Sequence, residues 1–199
     1  MVVGKAESLT TSGLVRFWRN FTATDDALQK AANGLALFIA SSQPLYPLGV
    51  VWIIGDPGWA CALSWVTTPM FLATPFVGHA SPVLGRLLVA FAGSLVTLLV
   101  TLQLGLGSWV EAYYLPALLV GACLFRRGEG RARALALALP LAAFVTGRLG
   151  AGADLPEVGR LWLVHLGGAL GLSAYLLLLF WRAGRPSVTL QAPADWAKQ

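Results

Sequence analysis

The sequence predicts an all-α fold: a polytopic membrane protein built as a six-transmembrane-helix bundle with an N-terminal amphipathic helix. Three observations carry that expectation. Of 199 residues, 57% are apolar and 12% charged, with a mean hydropathy of +0.70; soluble domains average about 25% charged residues, so too few charges are present to coat a water-facing surface. Six apolar stretches approach the roughly 20 residues that a helix needs to cross a ~30 Å hydrocarbon layer. Basic residues crowd into alternate connections. Backbone amides in hydrocarbon must bond within their own segment, and nothing shows the two-residue alternation of a barrel strand, so every span is expected to be a helix.

The first element is a cytoplasmic lead-in, residues 1–33. From Leu9 to Phe21 it mixes Leu14, Val15, Phe17, Trp18 and Phe21 with Arg16 and Arg19. That pattern suits a short helix lying on the membrane surface, arginines toward anionic headgroups and aromatics in the acyl boundary, or else a docking segment. Thr24 reads as an N-cap with Asp25 and Asp26 in the first turn, where the helix dipole favours negative charge, so a helix should run from Asp25 into the first span. The transmembrane domain, residues 34–181, follows. Its spans are Gly34 to Ile54, Pro57 to Val77, Pro82 to Leu104, Ser108 to Phe125, Ala134 to Leu149 and Leu161 to Trp181. The fifth is the shortest and is closed by Arg148, whose long side chain can snorkel to the interface. A mobile tail, 182–199, carries Pro186 and Pro193.

Six spans put both termini on one side, and the charges say which. Twelve of the 14 basic residues fall on the side of the termini; only Arg148 and Arg160 lie opposite. Basic connections stay cytoplasmic, so both ends are expected in the cytoplasm of a bacterial inner membrane. Trp52, Trp59, Trp109, Trp162 and Trp181 fall near span ends, at headgroup depth, and Trp65 is the mid-span exception. Pro44, Pro47, Pro69, Pro75, Pro116 and Pro140 lie within spans, where each removes a ladder hydrogen bond, giving kinks on the plainer reading and hinges on the sharper one. Cys61 and Cys123 sit in apolar stretches, which indicates neither a disulfide framework nor a thiolate cluster. The net charge of +5 is spread over connections and ends rather than gathered on one soluble face, so topology accounts for it better than nucleic acid does. No cleavable signal peptide is expected, since the first apolar run starts only at Gly34.

Intramembrane ionisable groups are the default functional candidates, and few occur. Glu111 stands about one turn into the fourth span, followed by Tyr113 and Tyr114; His165 stands about one turn into the sixth; Arg148 closes the fifth. All five share the outer depth, and with Asp154, Glu157 and Arg160 they form one polar rim. This rim either binds a small polar ligand or proton, with Glu111 paired to Arg148 or His165, or is an interfacial salt bridge that orients three helices. His79 and His165 should lie near opposite faces, so they do not share a metal or haem, and no cofactor is expected. Ser108 is the one serine able to approach His165, without the context of a nucleophile elbow. Gly167 and Gly171 form a small-xxx-small pair for close helix approach. Thr67, Thr68, Thr97 and Ser173 can satisfy backbone carbonyls, and no pair of half-helices is evident, which argues against a transporter.

The stretch from Gly105 to Arg133, GLGSWVEAYYLPALLVGACLFRRGEGRAR, with the charged lead-in to NGLALFIA and the basic exit after the sixth span, resembles a known architecture. It is similar to the six-helix membrane domains found N-terminal to bacterial nucleotide cyclases, diguanylate cyclases and histidine kinases. The likeness covers Asp25 to Arg185 and rests on span count, loop charges and the G-S-x-x-E-x-Y-Y pattern. It implies a domain that responds to a membrane or periplasmic signal, dimerises, and passes a change through its last helix to an output domain. By position, Glu111, Tyr113 and Tyr114 would belong to the sensing face and Leu176 to Arg185 to the output connection. About a dozen residues follow Arg185, so the resemblance implies a free-standing version, a truncated one, or a bundle sharing only the architecture.

The expectation drawn from these readings is a non-enzymatic sensory or regulatory module. Its partners would be the lipid bilayer and a membrane protein or a second copy of the chain, with no nucleic acid. The alternative is an accessory subunit of a larger respiratory or photosynthetic complex; a small transporter stands third.

Overall fold

A computed structural model of the chain describes residues 13, 15–17 and 19–183, and these are all helix, turn or connection without a strand. The expected tail from residue 184 on, and the lead-in before residue 13, lie outside the described residues. What is described of the lead-in is helical, here α1, at 13, 15–17 and 19–22, with Val15 and Phe17 exposed beside Arg16 and Arg19. The α-helices that follow are α2 (Ala27–Ser42), α3 (Tyr46–Ile54), α4 (Thr68–Ala80), α5 (Pro82–Leu104), α6 (Tyr114–Cys123), α7 (Gly130–Gly150) and α8 (Trp162–Ala183). Five helical runs are long and apolar enough to cross a membrane, and Val110–Cys123 is a shorter sixth. The chain is an all-α polytopic membrane bundle.

The cap of α2 is Asp26 rather than the expected Thr24: the Asp26 carboxylate accepts from the backbone N–H of Leu28 (2.9 Å) and Gln29 (3.1 Å). Thr24 acts one step earlier, its hydroxyl accepting from the Asp26 N–H at 3.4 Å. An aspartate in that position satisfies two of the orphan donors of a helix start. At the other boundary α8 runs on to Ala183, two residues into the expected tail.

The first two spans are helical throughout but not α-helical throughout. The first breaks into 3-10 form at Gln43–Leu45, between α2 and α3. Pro44 and Pro47 cause this, because a proline nitrogen cannot donate to the carbonyl four residues back. The second span opens with 12 residues of 3-10 helix, Asp56–Thr67, before α4 takes over. Runs beyond three or four residues are uncommon, and here the sequence supports one: Gly58, Cys61, Ser64 and Thr67 are buried at every third position. A three-residue turn stacks such positions into one narrow stripe. A Cβ on Gly58 would stand 2.8 Å from the Val51 nitrogen, so the stretch lies directly against the α3 backbone.

The 23-residue α5 is the post around which the others pack, touching α2, α4, α6, α7 and the long 3-10 stretch. Its buried hydroxyls bond back into their own helix, Ser94 to Ala90 O (2.8 Å), Thr97 to Gly93 O (3.0 Å) and Thr101 to Thr97 O (2.8 Å). Thr67 and Ser173 likewise satisfy local carbonyls, whereas Thr68 donates to the Gln43 side chain. Two apolar clusters fill the bundle. One, at the end of the described N-terminal residues, joins Leu35, Phe71, Val89, Leu124 and Leu176; the other, at the opposite end, joins Val50, Cys61, Leu104, Val110 and Leu161.

Antiparallel α6 fixes the count of six passages. It starts beside the C-terminal end of α5 and finishes where the Leu124 carbonyl meets Arg86, near the α5 N-terminus. Ten α residues and four 3-10 residues, Val110–Tyr113, cover only about 23 Å at 1.5 and 2.0 Å per residue, less than the expected span, and the flanking turns fold in to complete it.

Candidate functional site

The rim lies at the end of the bundle where α3, α5 and α7 finish and α8 begins. Gly105 ends α5 in a positive-φ conformation, φ 86°, and the backbone turns through Trp109, which is left-handed at φ 62° and places its ring 6.5 Å from that of Trp162. The connection after α7 docks onto this turn. Asp154 accepts from the Gly107 N–H at 2.9 Å, and Leu155 N–H donates to Leu104 O at 3.2 Å. Side chains at Gly105 or Gly107 would occupy the space of the Asp154 carboxylate.

The five expected site residues fall into two adjoining clusters that share the Val110–Tyr113 turn. In the first, Glu111 is paired with Arg148 at 2.7 Å. The Arg148 guanidinium also lies 5.3 Å over the Phe144 ring, against whose other neighbour, Tyr114, Phe144 packs edge-on at 5.8 Å. The pair uses only half of the carboxylate: Glu111 Oε1 is buried with no hydrogen-bond partner. Tyr114 is 5% exposed, and its hydroxyl lies beside Thr101 and the Glu111 carboxylate. An acceptor and a donor–acceptor stand close together under a half-exposed arginine.

His165 belongs to the second cluster and does not pair with Glu111. It is fully enclosed, with Nδ1 2.6 Å from Ser108 O and Nε2 2.9 Å from the Tyr46 hydroxyl. A carbonyl only accepts, so Nδ1 carries the proton and neutral Nε2 accepts from Tyr46. It is the Ser108 carbonyl, and not its hydroxyl, that faces the histidine; the hydroxyl donates to Gly105 O at 2.9 Å. Both ring nitrogens are therefore occupied, and a ligand role for His165 would break two bonds. Tyr113 stands edge-on to His165 at 6.1 Å and directs its hydroxyl at Gly168, where any Cβ would collide with it. His79 sits in the last turn of α4, at the opposite end of the bundle. Among the described residues, no three His, Cys, Asp or Glu side chains are grouped to hold a metal ion.

Sequence reasoning missed Tyr46 and a second polar junction at the helix break. There the Gln43 side chain, buried at 5% exposure, donates to Thr67 Oγ1 at 2.7 Å and accepts from Thr68, while the Trp65 indole N–H donates to Gln43 O at 3.1 Å. Trp65 was the mid-span exception, and this bond accounts for it. The readable signal was Pro47: it stands four residues after Gln43 and removes the α-helical donor for that carbonyl, which bonds instead to the Tyr46 N–H and the Trp65 indole.

No protein-family model, no curated protein and no solved structure matches the chain.

Proposed function

We propose that this chain is a non-enzymatic sensory or regulatory module of a bacterial inner membrane, its basic end in the cytoplasm. On this reading the Glu111–Arg148 rim faces outward and receives a small polar molecule bearing hydrogen-bond donors. The observation that carries it is the orphaned Glu111 Oε1, with the buried Tyr114 hydroxyl beside it. An unsatisfied buried polar group costs roughly 1–3 kcal/mol, and a ligand that supplies the missing bonds recovers that cost on binding. The Val110–Tyr113 turn joins the rim to the His165 cluster, so a change at Glu111 reaches α8 through Tyr113 and Gly168. The charge asymmetry supports the orientation.

The test is a thermal-shift screen of the detergent-solubilised protein against small amines, amino acids and polyols. A ligand at a hundred times its Kd adds about 2.7 kcal/mol to stability. Wild type should shift with one of these classes, and Glu111→Gln and Tyr114→Phe should lose the shift while keeping membrane abundance. Equal shifts in the variants, or variants that lose abundance along with response, would favour a purely structural rim.

The accessory-subunit reading keeps one specific observation. At Gly167 and Gly171 of α8 a Cβ would meet nothing within 4 Å, so this small-residue face is open to a neighbouring helix. Purification in mild detergent separates the two readings: a stoichiometric pigmented or redox-active complex favours the subunit, an isolated chain or dimer the sensor.

A further inference from the structure

The opposite, basic end of the bundle holds a shallow cavity, largely open to its surroundings, at the turn between α6 and α7. Arg127 and Arg131 line it, together with the start of α7 and Val83 of α5. Glu129 stands in the same wall, yet its charge is already engaged. One oxygen takes Arg86 Nη2 at 2.7 Å, and the other accepts from the Arg126 N–H at 2.8 Å. Arg126 is turned away to Asp26 at 3.1 Å. Arg127 and Arg131 are exposed and have no acidic partner among the described residues. Two arginines without an acidic partner thus line one cavity, and no side chain caps the first turn of α7 beside them.

We propose that this cavity binds the phosphate of an acidic glycerophospholipid from the surrounding leaflet. Guanidinium groups grip phosphate oxygens with paired, charge-assisted bonds, and the uncapped N-terminal turn of α7 adds a favourable dipole. Lipid is favoured over an acidic protein segment by what adjoins the arginines. Val83 and Ala132 supply apolar wall, and Leu135, one helical turn along α7 from Arg131, is 51% exposed on the way into the hydrocarbon. A headgroup at the mouth would lay its acyl chain along that apolar rail.

The experiment is native mass spectrometry of the full chain in detergent, supplied with equal amounts of phosphatidylglycerol and phosphatidylcholine. Wild type should retain phosphatidylglycerol preferentially. Arg127→Gln/Arg131→Gln should reduce that preference about tenfold or more, since one basic residue near an anionic membrane surface accounts for about fivefold. Arg133→Gln, outside the cavity, should leave it intact. Arg127→Lys/Arg131→Lys keeps the charges but not the paired bonds and should keep a preference between those of wild type and the glutamine pair, which guards against a glutamine pair that fails to fold. The proposal is overturned if wild type shows no preference, if the glutamine pair retains it, or if Arg133→Gln loses as much. It is equally overturned if inorganic phosphate alone displaces the lipid at matched concentration, or if the species that co-purifies at these arginines is an acidic protein.

Discussion

Arg86 is 1% exposed, and its bonds run in three directions: Nε to Pro82 O at 3.0 Å, Nη1 to Leu124 O at 2.9 Å, and Nη2 to Glu129 at 2.7 Å, with the guanidinium 5.6 Å from the Phe125 ring centre. It joins the start of α5 to the end of α6 and closes a carbonyl left open where α6 stops. Removing one member of a buried pair leaves the other charged and unpaired, at a cost of about 3–5 kcal/mol. Arg86→Leu should therefore destabilise the protein by up to that order, measured as a fall in the unfolding midpoint in detergent, and Glu129→Gln should cost less because an amide oxygen can still accept from Nη2 while Pro82 O and Leu124 O hold the rest of the guanidinium. The rim pair behaves differently. Arg148 is 51% exposed and Glu111 13%, so Arg148→Gln removes a half-screened partner and should cost less than Arg86→Leu, about 1–2 kcal/mol on the same midpoint. A loss as large as that of Arg86→Leu would mean that no water reaches the Glu111 carboxylate left behind.

The helix break between α2 and α3 offers a sharper test at the scale of elements. Pro47 removes the α-helical donor for Gln43 O, which instead takes the 3-10 bond from the Tyr46 N–H and a second bond from the Trp65 indole across the junction with the second span. Trp65→Phe should cost about 1 kcal/mol in the wild-type background, the net worth of one buried hydrogen bond. In a Pro47→Ala background residue 47 regains its N–H and the same substitution should cost distinctly less. A double-mutant cycle on unfolding midpoints reads the coupling directly, and additive effects would refute the capping role. These elements also mark where the sequence stopped being legible. Hydropathy windows located the spans because burial in lipid requires apolar length whatever the helix type. The same windows are blind to a three-residue turn, although Gly58, Cys61, Ser64 and Thr67 carried the period openly. Glu111 and Arg148 could be matched because each stands within about one turn of a span end, so its depth follows from that end whatever the helix type. Tyr46 could not be matched to His165, since it follows a break that resets its depth and direction. Gln43, Gln29 and Asn33 escaped because a neutral amide leaves no charge signature, even though Gln29 donates to Asn33 at 2.7 Å inside the bundle.

At the scale of the whole molecule the two ends of the bundle differ in charge, and the proposed orientation in a bilayer rests on that difference. The described start of α2 meets the α4–α5 turn, where Gln29 packs against Gly78 and Gly85. Asp26 reaches the α6–α7 turn at Arg126, and α8 returns to the same apolar cluster through Leu176 and Phe180. These contacts gather the first and last described helical ends, and most of the arginines, at one end, with Asp154, Glu157 and the Glu111 rim at the other. Gly128 and Gly159 sit in the connections at these two ends, each with open space around an added Cβ, so cysteines placed there should be tolerated. In a background with Cys61 and Cys123 changed to alanine, a membrane-impermeant maleimide added to intact cells without an outer barrier should label Gly159→Cys, and reach Gly128→Cys only after the membrane is opened. The reversed pattern would invert the proposed orientation while leaving the bundle standing. Labelling of both cysteines from one side would remove the odd number of passages between them, which the long α7 supplies, and with it any separation of an outer rim from an inner basic face.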